Sequence, residues 1–190
     1  MAVSDIILTP ASVWVAPEAE SPPATTVDYG AAWGGNWRNV GYTNVPLSMS
    51  FTVEKYEVMV EQSSLPVRTI KTKETAVFET QLVEITEANL LLAFPGATGT
   101  STTAIETLDA GGSPTLDTYA WGFEGEYKNI SNVSLPIRVF LYRGQAILNG
   151  QLQFAKGKEM GIPLQITGLA DTGKPVGQQL FKIERHLIYT

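Results

Sequence analysis

Two segments of this chain alternate for too long to be ordinary strands. Residues 47–62 place Leu47, Met49, Phe51 and Val53 on one face and Ser48, Ser50, Thr52 and Glu54 on the other. Residues 73–85 set Ala76, Phe78, Thr80 and Leu82 against Val77, Glu79, Gln81 and Val83. Such period-two alternation marks a strand with one face buried. A usual strand runs about 5–6 residues, so a strand of this length projects from its domain or lines a shared barrel. After Glu54 the apolar set changes phase, to Tyr56, Val58 and Val60 opposite Lys55, Glu57, Met59 and Glu61. That flip predicts a bulge or a change of packing partner. Residues 62–65 before Pro66 predict a turn or projecting tip, with 67–71 beginning the return.

One helix signal follows. Thr86 is a suitable N-cap, Glu87 complements the dipole, and Leu90, Leu91 and Phe94 supply an apolar face before Pro95-Gly96 ends it. The other strands expected are 6–15, 36–42, 119–127, 135–142, 145–154, 162–169 and 180–188, with Arg143-Gly144 punctuating the fourth and fifth. Short strands separated by turn signals predict a mainly β fold of two packed antiparallel sheets, sandwich or barrel-like, with one short flanking helix. Residues 1–190 read as a single domain. Two stretches, 16–35 and 97–117, are long for connections inside a compact domain and are expected to act in binding or to order on a partner.

Composition narrows the function. Charged residues are only 17% of the chain, which suits burial against copies of itself because interface cores are depleted in charge. The formal net charge is −6, which argues against gripping nucleic acid or anionic membranes. The absence of cysteine excludes disulfides and thiolate metal sites. Met1-Ala2-Val3-Ser4-Asp5 has no basic n-region, and no window is apolar enough to span a bilayer. Cytoplasmic synthesis is expected, which leaves the sequons at Asn129 and Asn132 without meaning.

Little reads as chemistry, and neither a cofactor nor a metal is expected. Asp171-Thr172-Gly173 has the aspartic-protease triplet, but a second copy is missing and Asp-x-Gly is a common turn. His186 is the only histidine and cannot build a metal site alone. Glu124 and Glu126 alternate on one strand face, as a glycosidase pair or, more simply, as a solvated face. Among the tryptophans, Trp33 in its Gly-rich loop is a candidate for a subunit interface together with Trp14, while Trp37 and Trp121 read as core.

The order Trp37-Arg38-Asn39-Val40-Gly41-Tyr42-Thr43, long hairpin, capped helix over 86–94 resembles the tail tube protein (major tail protein) of long-tailed bacteriophages, related in fold to the type VI secretion tube protein. Pro163-Leu164-Gln165-Ile166, Ala170-Asp171 and Leu180-Phe181-Lys182-Ile183 resemble that family's closing strands. The resemblance implies a structural virion protein and no enzyme. Six copies would close into a ring whose inner sheets form one barrel, and rings would stack into a conduit for DNA ejection. It implies a place in the virion tail, assembly in the host cytoplasm, and tail terminator, tape-measure and baseplate proteins as partners, with DNA passing transiently and no membrane involved.

Carried onto this chain, the resemblance makes the long hairpin the lumen wall. Glu54, Glu57, Glu61, Glu79 and Glu84 would face the passage, since a wall with a negative bias does not hold phosphate. Gln62, Ser63, Ser64, Leu65, Pro66 and Arg68 would form a ring-stacking loop. Leu90 and Phe94 would join Trp14 and Trp33 at the subunit contact. Two alternatives stand beside this reading: another ring-forming tail, baseplate or secretion component, and a carbohydrate-binding or hydrolytic β-sandwich.

Overall fold

The computed structural model describes residues 10–128, 133–157 and 159–187. The sequons at Asn129 and Asn132, and the outer ends of the expected first and last strands, lie outside the described residues. Strand makes up 53% and helix 4% of the chain. The elements are β1 (Ser12–Pro17), β2 (Arg38–Asn39), β3 (Thr43–Val60), β4 (Ser63–Leu82), α1 (Glu87–Ala93), β5 (Thr98–Ser101), β6 (Glu106–Asp109), β7 (Tyr119–Lys128), β8 (Ser134–Leu148), β9 (Ile162–Leu169) and β10 (Phe181–Arg185).

Two antiparallel sheets are formed, as the alternation predicts, but they are unequal. One has eight strands in the order β2-β1-β7-β8-β9-β4-β3, with β10 also paired to β8; the other is the β5–β6 pair. Strand β8 is the hub. One of its edges takes β7, while the other takes β10 along Ile137–Leu141 and then β9 along Arg143–Leu148. The large sheet folds over itself, so that Phe78 of β4 stacks on Phe123 of β7 with centroids 4.6 Å apart. Between these layers lie Val13, Val15, Trp121, Leu141, Leu164 and Ile166, all buried. The two end strands, β2 and β3, do not pair with each other, so one chain does not close a barrel.

Strand β8 corrects the expectation of separate strands at 135–142 and 145–154. Arg143-Gly144 sits inside one continuous strand of 15 residues that stops at Leu148. Gly144 is there for close packing: a Cβ would lie 2.6 Å from Leu141 Cδ2 and 2.8 Å from Trp121 Cδ1. The same backbone accepts a hydrogen bond from Trp121 Nε1 through its carbonyl, at 3.3 Å. Strand 36–42 is also shorter than expected, with only Arg38–Asn39 paired to β1.

Helix α1 forms where its signals lie. Thr86 Oγ1 accepts from Asn89 N–H at 3.2 Å, meeting one of the donors a helix start leaves free. Asn89 is buried and fully used. Its amide donates to Val40 O at 2.8 Å and Glu84 O at 2.9 Å, and its oxygen accepts from Arg38 Nη1 at 2.7 Å. A buried polar group is tolerated on these terms. Leu90 and Phe94 pack half-buried against the chain's own core.

The stretch 97–117, expected to be a loop, contains the β5–β6 hairpin. It is tied to the helix, because Glu106 Oε2 accepts from Glu87 N–H at 3.0 Å. Its base is closed by Asp117 Oδ2, which accepts from Gly96 N–H at 2.8 Å. Gly96 has φ +73°, a left-handed conformation that glycine adopts without strain, in the turn that follows the helix.

Candidate functional site

The β3–β4 hairpin is the feature most in need of a functional account. β3 has 18 residues and β4 has 20, and they are joined by a tight turn at Glu61 and Gln62. Gln62 is in that turn, but Ser63, Ser64, Leu65, Pro66 and Arg68, expected as a stacking loop, belong to β4 itself. Ser63 Oγ shapes the first residues, donating to Leu65 O at 3.0 Å and accepting from Leu65 N–H at 3.2 Å. The chain provides little cover for this end: Tyr56 is 61% exposed, Leu65 71% and Val67 57%.

Cross-strand register explains the phase flip. Glu54 is opposite Lys73, but Lys55 is opposite Lys71, so Thr72 has no partner across the ladder. The extra residue is on β4, and β3 keeps its alternation from Ser48 to Val58. The apolar set therefore changes sides of the ribbon. Up to Val53 it shares the face of Phe78 and Ala76, which look into the core; Met49 and Phe51 stand opposite these two. From Tyr56 onward it lies on the other face, where Tyr56 is opposite Ile70. Ile70 is 42% exposed and Val60 39%. No part of the described chain covers this second face.

Register also builds a polar face on the near half. Directly opposed residues share a face. Ser48, Glu79, Gln165 and Ile147 form one row across β3, β4, β9 and β8, and Ser50, Val77, Thr167 and Gln145 form the next. The rows are mostly hydroxyl and amide groups. Glu79 is their one carboxylate, and it accepts from Gln165 Nε2 at 2.8 Å and Asn149 Nδ2 at 3.1 Å. Glu54 extends this face beside Lys73, with N and O 3.5 Å apart.

The five carboxylates expected to face a passage do not share one surface. Glu54 and Glu79 lie on the polar face; Glu57 alternates to the opposite one. Glu61 is in the hairpin turn. Glu84 follows β4 and accepts from Tyr42 N–H at 3.1 Å.

The tryptophan expectation is corrected. Trp33 is 4% exposed and Trp14 6%. They stack on each other at 5.0 Å, and Phe140 and Trp37 complete the group at 5.5 and 5.1 Å from Trp33. The chain's own loop covers them, so their indole faces are not free for a neighbour.

Glu124 is likewise neither a solvated residue nor half of a catalytic pair. It is fully buried and bound to the equally buried Arg138, Nε to Oε1 at 2.8 Å. A glycosidase acid must reach the bond it cleaves, so this site does not support hydrolysis through Glu124. Asp171 Oδ1 accepts from Gly173 N–H at 2.9 Å, and Lys174 N–H bonds back to Asp171 O at 3.1 Å. The Asp-Thr-Gly triplet is thus a turn. His186 pairs through its backbone with Pro136. Its pKa is lowered by burial and by Arg138 nearby. Among the described residues no cluster of side chains could hold a metal ion, and no helix is long and apolar enough to cross a membrane.

Sequence reasoning missed the Glu124–Arg138 pair. The signal was present: Glu124 interrupts the otherwise uncharged run from Tyr119 to Gly125, and Arg138 similarly interrupts Leu135–Tyr142.

The fold and these surfaces define a structural β-sheet subunit with an apolar ribbon that the described residues leave exposed. A family model described as phage tail tube protein matches residues 4–182, and the chain belongs to that family. It is a structural tail tube protein, a component of the virion tail. Membership of a structural family favours a role without catalysis. No curated protein matches the sequence.

Proposed function

We propose that the subunits close into rings, six to a ring by family resemblance, and that the rings stack into a tube through which DNA leaves the virion. The observation that carries this reading is the switch of the hairpin's apolar face. Up to Val53 the apolar residues share the face of the core residues Ala76 and Phe78, although only Leu47 among them packs on the core; from Tyr56 onward they turn to the other side, where Tyr56, Val60 and Ile70 are exposed among the described residues. Exposed apolar residues grouped on one face, here with Arg68 among them opposite Val58, mark a partner site. A copy of the same chain is the occupant that a tail tube requires, through a head-to-tail contact that closes when the rotation allows. The outer edge of β3, unpaired among the described residues, supports it too, since a ring pairs edges that would otherwise invite aggregation.

The polar face of β3, β4, β9 and β8 is the proposed wall of the passage. It offers no unpaired cation in the two rows around Glu79, so it has little with which to hold phosphate. Glu54 and Glu79 are the two of the five carboxylates that would face DNA. Helix α1, with Leu90 and Phe94, is the proposed flank at the subunit contact. Assembly in the host cytoplasm, with tail terminator, tape-measure and baseplate proteins as partners, completes the reading.

Electron microscopy of the purified protein at rising concentration tests it, with and without the baseplate initiator. Hollow filaments of stacked rings are expected. A protein that stays monomeric under both conditions overturns the proposal. For the wall, Glu79→Lys should leave tubes intact and slow DNA ejection from reconstituted virions, because it replaces one of the two carboxylates of each subunit's wall with a cation. Unchanged ejection kinetics would remove Glu79 from the passage.

A further inference from the structure

Residues 18–37 form a strap across the outer face of β1, β7 and β8, and the buried charges beneath it have no role in the tube reading. Glu124 and Arg138 are both fully buried. Each is bound to the sheet partner and to the strap. Glu124 Oε1 takes Arg138 Nε at 2.8 Å, while Oε2 accepts from the strap's Gly30 N–H at 3.1 Å. Arg138 Nη2 donates to the strap's Val27 O at 2.5 Å, and its guanidinium lies 5.6 Å from the centre of the Trp33 ring. Trp33 in turn lies over Gly122, where a Cβ would fall 2.1 Å from the ring. The strap's ends are tied as well: Glu18 pairs with Arg143 at 2.7 Å, and Trp37 Nε1 donates to Ser21 O at 2.8 Å.

A buried ion pair is favourable only when its remaining lone pairs and protons find partners. Here the strap's backbone supplies two of them, while Arg138 Nη1 is buried without a hydrogen-bond partner among the described residues. If the strap lifted, water would reach the pair, and Trp14 and Phe140 would lose their cover. If one charge were removed with the strap closed, the other would be buried without its counterion. Charge pair and strap therefore hold each other in place.

We propose that Glu124 and Arg138 are a latch that holds residues 18–37 closed in the free subunit, before any assembly. The strap is then a preformed layer of the surface that polymerises, in contrast to a segment that orders on a neighbour. Arg38 directly follows it and holds α1 through Asn89, so the latch also fixes the approach to the helix.

Hydrogen exchange on the dilute monomer tests this without requiring tubes. In the unmodified protein, amides of 18–37 should exchange far more slowly than those of 110–116, a segment without regular structure. Glu124→Gln should speed exchange across 18–37 by about tenfold or more through local opening, leaving the amides of β9 unchanged. Glu54→Gln, at an exposed pair, should change neither. Should E124Q fail to fold, Trp33→Ala opens the strap from its own side and is expected to give the same local pattern. The latch is overturned if the strap exchanges as fast as 110–116 in the monomer and gains protection only in filaments. It is equally overturned if folded E124Q exchanges like the unmodified chain.

Discussion

Replacing residues 56–70 with a two-residue turn gives a folded monomer that no longer forms tubes. The excised ribbon contributes nothing to the buried core, which draws on β3 and β4 only at Leu47, Ala76, Phe78 and Leu82. Its loss should therefore leave the melting temperature within a few degrees, since surface changes away from packed features cost about 0.5 kcal/mol or less. Assembly should be abolished, because the excision removes the apolar face of Tyr56, Val58, Val60 and Ile70 as a unit. Calorimetry and electron microscopy of the same preparation separate the two effects. Tubes from the shortened chain would mean that the ribbon's apolar face serves something else. A large drop in melting temperature would mean that the ribbon belongs to the fold.

The second large effect is Phe78→Ala. Phe78 is fully buried, stacks on Phe123 at 4.6 Å, and sits where the sheet folds over itself. Truncating a buried Phe to Ala costs about 3–5 kcal/mol, from lost transfer energy and the cavity left behind. At this chain length each kcal/mol lowers the melting temperature by about 2–4 °C, so a drop of roughly 6–20 °C is expected by calorimetry. Truncation at Tyr56, whose ring is 61% exposed, should leave the monomer's melting temperature almost unmoved. If the two truncations melt alike, the division of the hairpin into a core half and a partner half is wrong.

The long hairpin, the capped helix and the β9 strand were legible because each rests on a local pattern: alternation, an N-cap with its apolar face, a strand between turn signals. What was not legible was set by contacts distant in sequence. Arg143-Gly144 reads as a turn, yet β7, β10 and β9 pair along β8 on either side of it and hold the chain extended. The 97–117 stretch reads as a loop because Thr, Gly and Ser carry no apolar alternation, although its backbone pairs as a hairpin. Trp33 reads as an interface residue because its neighbours are glycines; its cover comes from Trp14 and Phe140, far away along the chain. The phase flip was visible in sequence, but register alone showed that the unpaired residue belongs to β4. Glu79 is legible from the alternation of its own strand, while its amide partners Gln165 and Asn149 are not, since only the pairing of β4 with β9 and of β9 with β8 brings them to it.

The pairing of β1 with β7 carries a consequence for the order of events during synthesis. Ser12 is opposite Glu124 and Pro17 is opposite Tyr119, so the first described strand has only the two-residue β2 beside it until well over half the chain has been made. The β3–β4 ribbon closes locally and is complete long before that. Non-local pairing of this kind slows folding, because the loop must be closed before its contacts repay the entropy. A growing chain therefore displays its stickiest ribbon while the strands that build the core are still missing, the condition under which partly made chains associate. Polymerisation must wait on the ribosome, and the timing of subunit maturation becomes a step in tail production in its own right.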